Sequence, residues 1–414
     1  MIRRLLLSLL LGFFIPTFVS ATTYYVAVGG SDSNPGTSAL PFANPQKCVS
    51  PAVMVAGDVC TVGDGTYTDT NADGVTLYIN GNNGTVAAPL TFISTNFRGA
   101  KIINPSAVNE YGIYVARNNV VISGFDISGG GFDGDSNTPI GITSSSSNSG
   151  LLIERNYIHD VGHNCIPSSF GADGIFLGVG NDVTIQRNIF ARIGRKFNGE
   201  SGCSNPVGSH GDLRNGDHAI YVGGSTNLTI RNNLFINNTM GYSIVAYGST
   251  VNNATIYNNT FYGGSPGAAS SHVLLASIVN TAIVKNNLSN TPQISFIDRG
   301  DTSMLSNIVV AYNQSTTTID NGTRVCTYSG VTCLNNVSNT PSGFVNAGAG
   351  DFHLQLTSAA KDSGLTLSEV TDDYDGVTRP QGTAYDKGAF EFVQAGSGFP
   401  PNAAVSPTRT YTVQ

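Results

Sequence analysis

Hydrophobic and polar positions alternate in short bursts along this chain, and from residue 151 to 289 one burst recurs in nearly the same words. LLIERNYI (151–158), VTIQRNIF (183–190), LTIRNNLF (228–235), ATIYNNTF (254–261) and AIVKNNLS (282–289) share one pattern. Each reads aliphatic, any, aliphatic, two polar positions, Asn, any, and then usually Ile or Phe. The Asn column is Asn156, Asn188, Asn233, Asn259 and Asn287, and VVISGFDI (120–127) fits with Phe125 in its place. Most units open with a second alternating stretch: YGIYV (111–115), IGIT (140–143), DGIFLG (173–178), HAIYVGG (218–224) and YSIVAY (242–247). A period of two, broken by Gly, Asn and Ser, predicts short strands joined by turns. The repeat length varies over 26–45 residues, so the extra residues fall in loops between strands. A unit this short cannot bury its own apolar face, whereas stacked units can. The pattern therefore predicts an all-β solenoid, a parallel β-helix with coils about 4.8 Å apart. Ile and Val would fill it, and the Asn column would form an amide ladder. Tyr221, Tyr242, Tyr247, Tyr257 and Tyr262 are expected to stack between neighbouring coils. Arg155, Arg187 and Arg231, beside the Asn column, are expected to be solvated.

Composition narrows the partners and the compartment. Of 414 residues only 11% are charged, none is Trp, and the formal net charge is −7. Such weak acidity offers no basic face for phosphate, which excludes nucleic acid. The opening MIRRLLLSLLLGFFIPTFVSA reads as a secretory signal peptide over residues 1–21. No later stretch is long and apolar enough to span a bilayer. The mature chain is thus expected to be exported (secreted, periplasmic or on the cell surface) and monomeric. Six cysteines in an exported chain predict disulfides. The sequential pairing Cys48–Cys60, Cys165–Cys203 and Cys326–Cys333 is the simplest of about 15 connectivities.

The coil phrase resembles the right-handed parallel β-helix repeat of the pectate-lyase-like superfamily. The start, YYVAVGGSDSNPGTSALPFANPQKCV…AGDVCTVGDGTYTDT (24–70), resembles the N-terminal cap and first coil of bacterial carbohydrate-active β-helix proteins. The resemblance implies a short cap helix over PQKCVSPAVMVA (45–56), tied to the first strand by Cys48–Cys60. The end, DFHLQLTSAAKDSG…DYDGVTRPQGTAYDKGAFEF (351–392), is similar to the closing segment of exported bacterial β-helix proteins. Asp351, His353, Asp372, Asp373, Asp375, Asp386 and Lys387 are expected there as turn and cap residues. The implied organisation is a signal peptide (1–21), cap and first coil (22–70), coils (71–345), closing segment (346–394) and flexible tail (395–414).

Registering the strand phrases shows where chemistry could gather. Gly112, Gly141, Gly174 and Ala219 form one column, and Tyr111, Ile140, Asp173 and His218 the column before it. Asp173 and His218 are then neighbours about 5 Å apart at Cα, with Asp217 one position earlier. Setting Asn156 over Asn188 puts Asp160 over Arg192 and His163 over Arg195, with Lys196 next. Two coils, 151–182 and 183–227, thus hold most of the ionisable residues of the central solenoid and its longest loops. Long loops on a rigid scaffold are where sites commonly lie. β-Elimination from a uronic-acid polysaccharide, or C5 epimerisation, begins with removal of the C5 proton. Lys196 or His218 would be the base. Arg195, Arg192 and Arg214 would grip the substrate carboxylate, with His163 and His210 lining the groove and Asp173 and Asp217 as orienting acids. Some members of the superfamily use calcium, which Asp173, Asp212 and Asp217 could hold. The alternative enzyme is an inverting glycoside hydrolase with Asp173 and Asp217 as its two carboxyls, about 6.5–9.5 Å apart. A non-catalytic carbohydrate-binding or cell-surface protein is the reading from another class. The expected partner is a polysaccharide, acidic in the first reading.

Overall fold

The computed structural model describes residues 21–394 apart from 51–52, 106–110, 131–137, 146, 166–170, 197–202, 204–215, 239–240, 265–270, 292–293 and 323. Residues 1–20 of the expected signal peptide (1–21) and the expected tail from 395 lie outside the described residues. Among the described residues, eighteen strands form one long sheet, nine form a second, and a short hairpin stands apart. Pairings within the two large sheets are parallel, as stacked coils require, and the chain is the expected parallel β-helix.

The long sheet contains two ladders. One runs through Val75–Ile79, Tyr111–Val115 and Ile140–Ser144, the other through Leu90–Ser94, Val120–Ser123 and Leu151–Glu154. The 14-residue strands Asp173–Gln186 and His218–Arg231 belong to both ladders. The nine-stranded sheet supplies a third face, including Tyr157–Val161, Ile189–Ala191, Leu234–Ile236 and Thr260–Tyr262. Ile and Val from these faces fill the centre. Phe190, Phe235 and Phe261 stack there with centroids 5.0 and 4.7 Å apart and planes within 6°.

The Asn column forms the expected ladder and extends beyond the repeat that announced it. Each Nδ2 from Asn156 through Asn188, Asn233, Asn259, Asn287 and Asn313 donates to the next Oδ1, ending at Asn336, at 2.9–3.1 Å. The residue before each rung turns the chain from the second face to the third. Arg155, Arg187, Asn232, Asn258, Asn286 and Tyr312 all hold left-handed backbone there, with φ of 51–57°. Asn adopts that region most readily among non-glycine residues, which accounts for the Asn-Asn pairs of the later repeats.

Three local expectations change. In place of a cap helix over 45–56 there is a single 3-10 turn, Pro45–Val49. Ser50 leaves it with ψ of 130°, because a residue before proline (Pro51) is pushed out of helical space. Cys48–Cys60 ties this turn to Val59–Val62, the second strand rather than the first. The pairs Cys165–Cys203 and Cys326–Cys333 are also formed. The third change is at the C-terminus, where residues 360–391 run back along the flank of the solenoid as a strap. Arg187 pairs with Asp372, and its Nε donates to the Asp373 carbonyl at 3.0 Å. Arg231 donates to the Glu369 carbonyl and to Gln186. These arginines are therefore anchors of the strap rather than solvated side chains. Asp373, Asp386 and Lys387, expected as turn and cap residues, are buried within it.

Candidate functional site

Register brings the predicted residues to one corner. Ile140 pairs with Asp173, and Asp173 with His218, on successive coils. The position after Asp173 must be small. A Cβ on Gly174 would meet the Ala219 carbonyl oxygen at 2.7 Å, with Phe190 and Ile193 close behind. Gly174 thus faces the core and leaves Asp173 on the outer side, close enough to Tyr221 to influence its hydroxyl. The His218 ring lies 5.7 Å from that of Tyr221 and 6.1 Å from that of Tyr242.

Both groups are nearly enclosed, Asp173 at 5% exposure and His218 at 6%. Burial, reinforced by the neighbouring Asp217, pushes the Asp173 carboxyl well above its ordinary value. Among the described residues its Oδ1 has no hydrogen-bond partner. Burial pushes the His218 ring down to about 3, against a bond to the backbone of Tyr242 that works the other way. Among the described residues its Nδ1 has no hydrogen-bond partner. At neutral pH the corner therefore holds an uncharged imidazole with an open ring nitrogen, beside a carboxyl group that burial biases toward its protonated form. Tyr221, pushed up to about 12 by burial and by Asp173, stays a proton donor.

Tyr221 also belongs to an aromatic stripe on the outside of the first ladder. Tyr78, Tyr114, Thr143, Phe176 and Tyr221 pair in sequence along successive coils. Tyr78 and Tyr114 rings are 4.9 Å apart, and Phe176 stacks on Tyr221 at 5.0 Å. Tyr247 meets Tyr221 edge-on at 6.3 Å. Sequence reasoning missed Tyr78, Tyr114 and Phe176. Their signal was present, since each follows one core aliphatic and precedes the next in its opening phrase.

The other predicted residues are placed around this corner with mixed results. Asp217 is fully buried. Its Oδ1 accepts from the Ala172 amide at 2.8 Å, and its Oδ2 from the Arg195 amide at 3.2 Å and Nε at 3.0 Å. Burial pushes the Asp217 carboxyl up, while Arg195 and those amides pull it back. The pair laces three loop segments together beneath the site. Arg192 is gripped by Asp160 through Nε at 2.7 Å and Nη2 at 2.6 Å. Two of the three arginines expected to clasp substrate, Arg192 and Arg195, are thus engaged by aspartates of the protein. Burial works against ionised Asp160, but His159 and Arg192 overcome it and hold the carboxyl well below its usual range. His159 also bonds Asp126 at 2.8 Å, completing a charged cluster on the third face. His163 bonds the Gly194 carbonyl at 2.8 Å, and the Lys196 amide donates to the Asn164 carbonyl at 2.9 Å. Cys165–Cys203 joins the two loops. His210, Asp212 and Arg214 lie outside the described residues. Among the described residues, no group of three or more His, Cys, Asp and Glu side chains is arranged to hold a metal ion.

A family model described as the right-handed β-helix region matches residues 73–264, which include the whole corner. No curated protein sequence matches the chain. Solved structures similar to it include a rhamnogalacturonan lyase, at 16% identity and a TM-score of 0.47 over 80% of this chain and 92% of that one. A pectate lyase matches at 14% identity and a TM-score of 0.41, over 90% and 97% of the two chains. A lacto-N-biosidase from Eubacterium ramulus matches at 12% identity and a TM-score of 0.42, over 77% and 68%.

Proposed function

We propose that this right-handed β-helix is an exported carbohydrate-active protein that binds a polysaccharide along the aromatic stripe and cleaves it by β-elimination at a uronic-acid residue. One observation carries the reading. A buried carboxyl group and an uncharged imidazole, each with a buried atom unpartnered among the described residues, stand on adjacent coils at the edge of a row of rings. Buried polar atoms without partners are costly, and a ligand that supplies those partners recovers the difference. Tyrosine rings present apolar faces with polar tips, a surface matched to sugars.

In this reading the open Nδ1 of His218 takes the proton from C5 of the uronate. An anionic sugar brought against the ring raises its proton affinity, because an opposite charge favours the imidazolium. Asp173, which burial biases toward its protonated form, donates to the substrate carboxyl group, which gains negative charge as the C5–H bond breaks. The C4–O4 bond then breaks, and the Tyr221 hydroxyl supplies a proton to O4. The products are a 4,5-unsaturated uronate and a shortened chain, and the proton on His218 returns to Tyr221 through solvent. Epimerisation shares the first step and differs in returning a proton to the opposite face of C5. An inverting hydrolase is less well supported, since both oxygens of its second carboxyl, Asp217, are already engaged. The described residues offer calcium no ready seat, and no step here is routed through it. Three disulfides suit an oxidising compartment outside the cytoplasm, and no helix among the described residues is long and apolar enough to cross a membrane.

The test is incubation with a panel of uronic-acid polymers, read by ultraviolet absorbance and by new reducing ends. Both signals together, lost in His218→Ala, support elimination. Reducing ends without absorbance mean hydrolysis. Binding with neither signal means a non-catalytic module.

A further inference from the structure

The third face carries a second cleft, well apart in the fold from the Asp173–His218 corner. It measures about 430 Å³ and lies between Tyr262, Asn290 and Thr316 on one side and the segment from Asn339 to Ala347 on the other. Tyr262 and Asn290 pair on adjacent coils, and Ser289 pairs with Ser315, so residues 262, 290 and 316 make a continuous floor. Phe352 at 5.1 Å and Phe344 at 6.4 Å fix the Tyr262 ring in place. Among the described residues, the Tyr262 hydroxyl and the side-chain amides of Asn290 and Asn339 have no hydrogen-bond partner.

The lining names its ligand by chemistry. No Asp, Glu, Lys, Arg or His borders the cleft, so an anion entering it would lose hydration without meeting a counter-charge. Two amides, the hydroxyls of Thr316 and Tyr262, and a ring suit a neutral molecule with an apolar face and many hydroxyls. The volume falls within the range of about 300–1,000 Å³ typical of small-ligand sites. We propose that this cleft binds a neutral pyranose unit of a glycan, with Tyr262 as the platform and Asn290 and Asn339 as the hydroxyl partners. The proposal stands apart from the elimination chemistry, because it needs neither Asp173 nor His218.

Titration calorimetry with neutral oligosaccharides (gluco-, manno-, xylo- and galacto-series) tests it on the full chain. At least one series should bind wild type and His218→Ala alike. Asn290→Ala and Asn339→Ala should each weaken that binding about tenfold, equivalent to about 1.4 kcal/mol, with unchanged melting. Tyr262→Ala should abolish it, and Tyr262→Phe, which keeps the ring packed, should retain most of it. The idea fails if no neutral series binds, if the asparagine variants bind like wild type, or if His218→Ala removes the binding.

Discussion

A buried histidine that stays neutral leaves a signature in stability. His218 and His272 are both pushed down to about 3 by burial. His272 sits in the core, 4.9 Å from the Phe261 ring, with Nδ1 bonded to the Ser243 hydroxyl at 3.0 Å. The unfolded chain takes up a proton at each site near pH 6.5, and the folded one does not until about pH 3. Stability from these residues is therefore complete above pH 6.5 and drains away as pH falls, by about 2 kcal/mol per histidine at pH 5. His272→Leu should flatten the melting-versus-pH curve by that amount between pH 7 and 5, and parallel curves would refute the assignment. Asp173 carries the opposite sign. Its raised carboxyl favours the folded state at low pH, and that contribution is lost as pH rises through the raised value. Asp173→Asn should thus gain stability relative to wild type as pH rises above about 4, the ordinary carboxylate value, and denaturant melts at each pH measure it. For activity, His218→Ala should cost about 10²–10⁴-fold in kcat on any uronate polymer that wild type cleaves. A smaller loss would move the base elsewhere.

At the scale of elements, the ladder shows what a repeated phrase determines. Asn233 Nδ2 donates to the Ile185 carbonyl at 2.9 Å and to Asn259 at 3.0 Å, and its Oδ1 accepts from the Asn188 amide at 2.9 Å. Asn233→Ala leaves several of these groups buried without partners, at about 1–3 kcal/mol each, so a loss of about 3 kcal/mol or more is expected. Asn336→Ala, on the partly exposed last rung, should cost about 1 kcal/mol, and chemical denaturation of the two separates an internal rung from a terminal one. The ladder and the coil register were legible because each follows from local spacing, whereas the cysteine pairing was only the simplest of the open connectivities. The cap helix was misread because an analogy outweighed Pro51. The engagement of Arg192 by Asp160 was implied by the register that stacked them, yet a charge on a loop invites a functional reading before a structural one. Burial of Asp217 and Arg195 could not be read at all, since it depends on how two loops close over them.

The strap is the feature of the whole molecule that local pattern hid, although the sequence carried a clue. On the outside of an exposed sheet the position after each ladder Asn would be polar, yet three such positions are Ile189, Leu234 and Leu288, all fully buried. They form one cluster with Phe352, Tyr374 and Phe390 from the C-terminal region. Apolar residues on the outer side of a solenoid face imply a cover, and among the described residues the segment after the last coil supplies it. Arg379 fastens that cover. It is buried with Glu391 at 2.6 Å, reaches Asn232 on the solenoid at 3.3 Å, and bonds the Gly388 carbonyl at 2.9 Å. Breaking a buried pair by removing one partner costs about 3–5 kcal/mol, and removing both with apolar or neutral groups costs less. Arg379→Met should therefore be more harmful than Arg379→Met combined with Glu391→Gln. Hydrogen exchange gives the sharper test. In Arg379→Met, protection should fall first in Ile189–Ala191, Leu234–Ile236 and Leu288–Asn290, the strands under the strap, while the long sheet stays protected. Uniform loss over both sheets would mean that the strap is part of one cooperative unit with the coils, and that the solenoid cannot hold its third face closed without it.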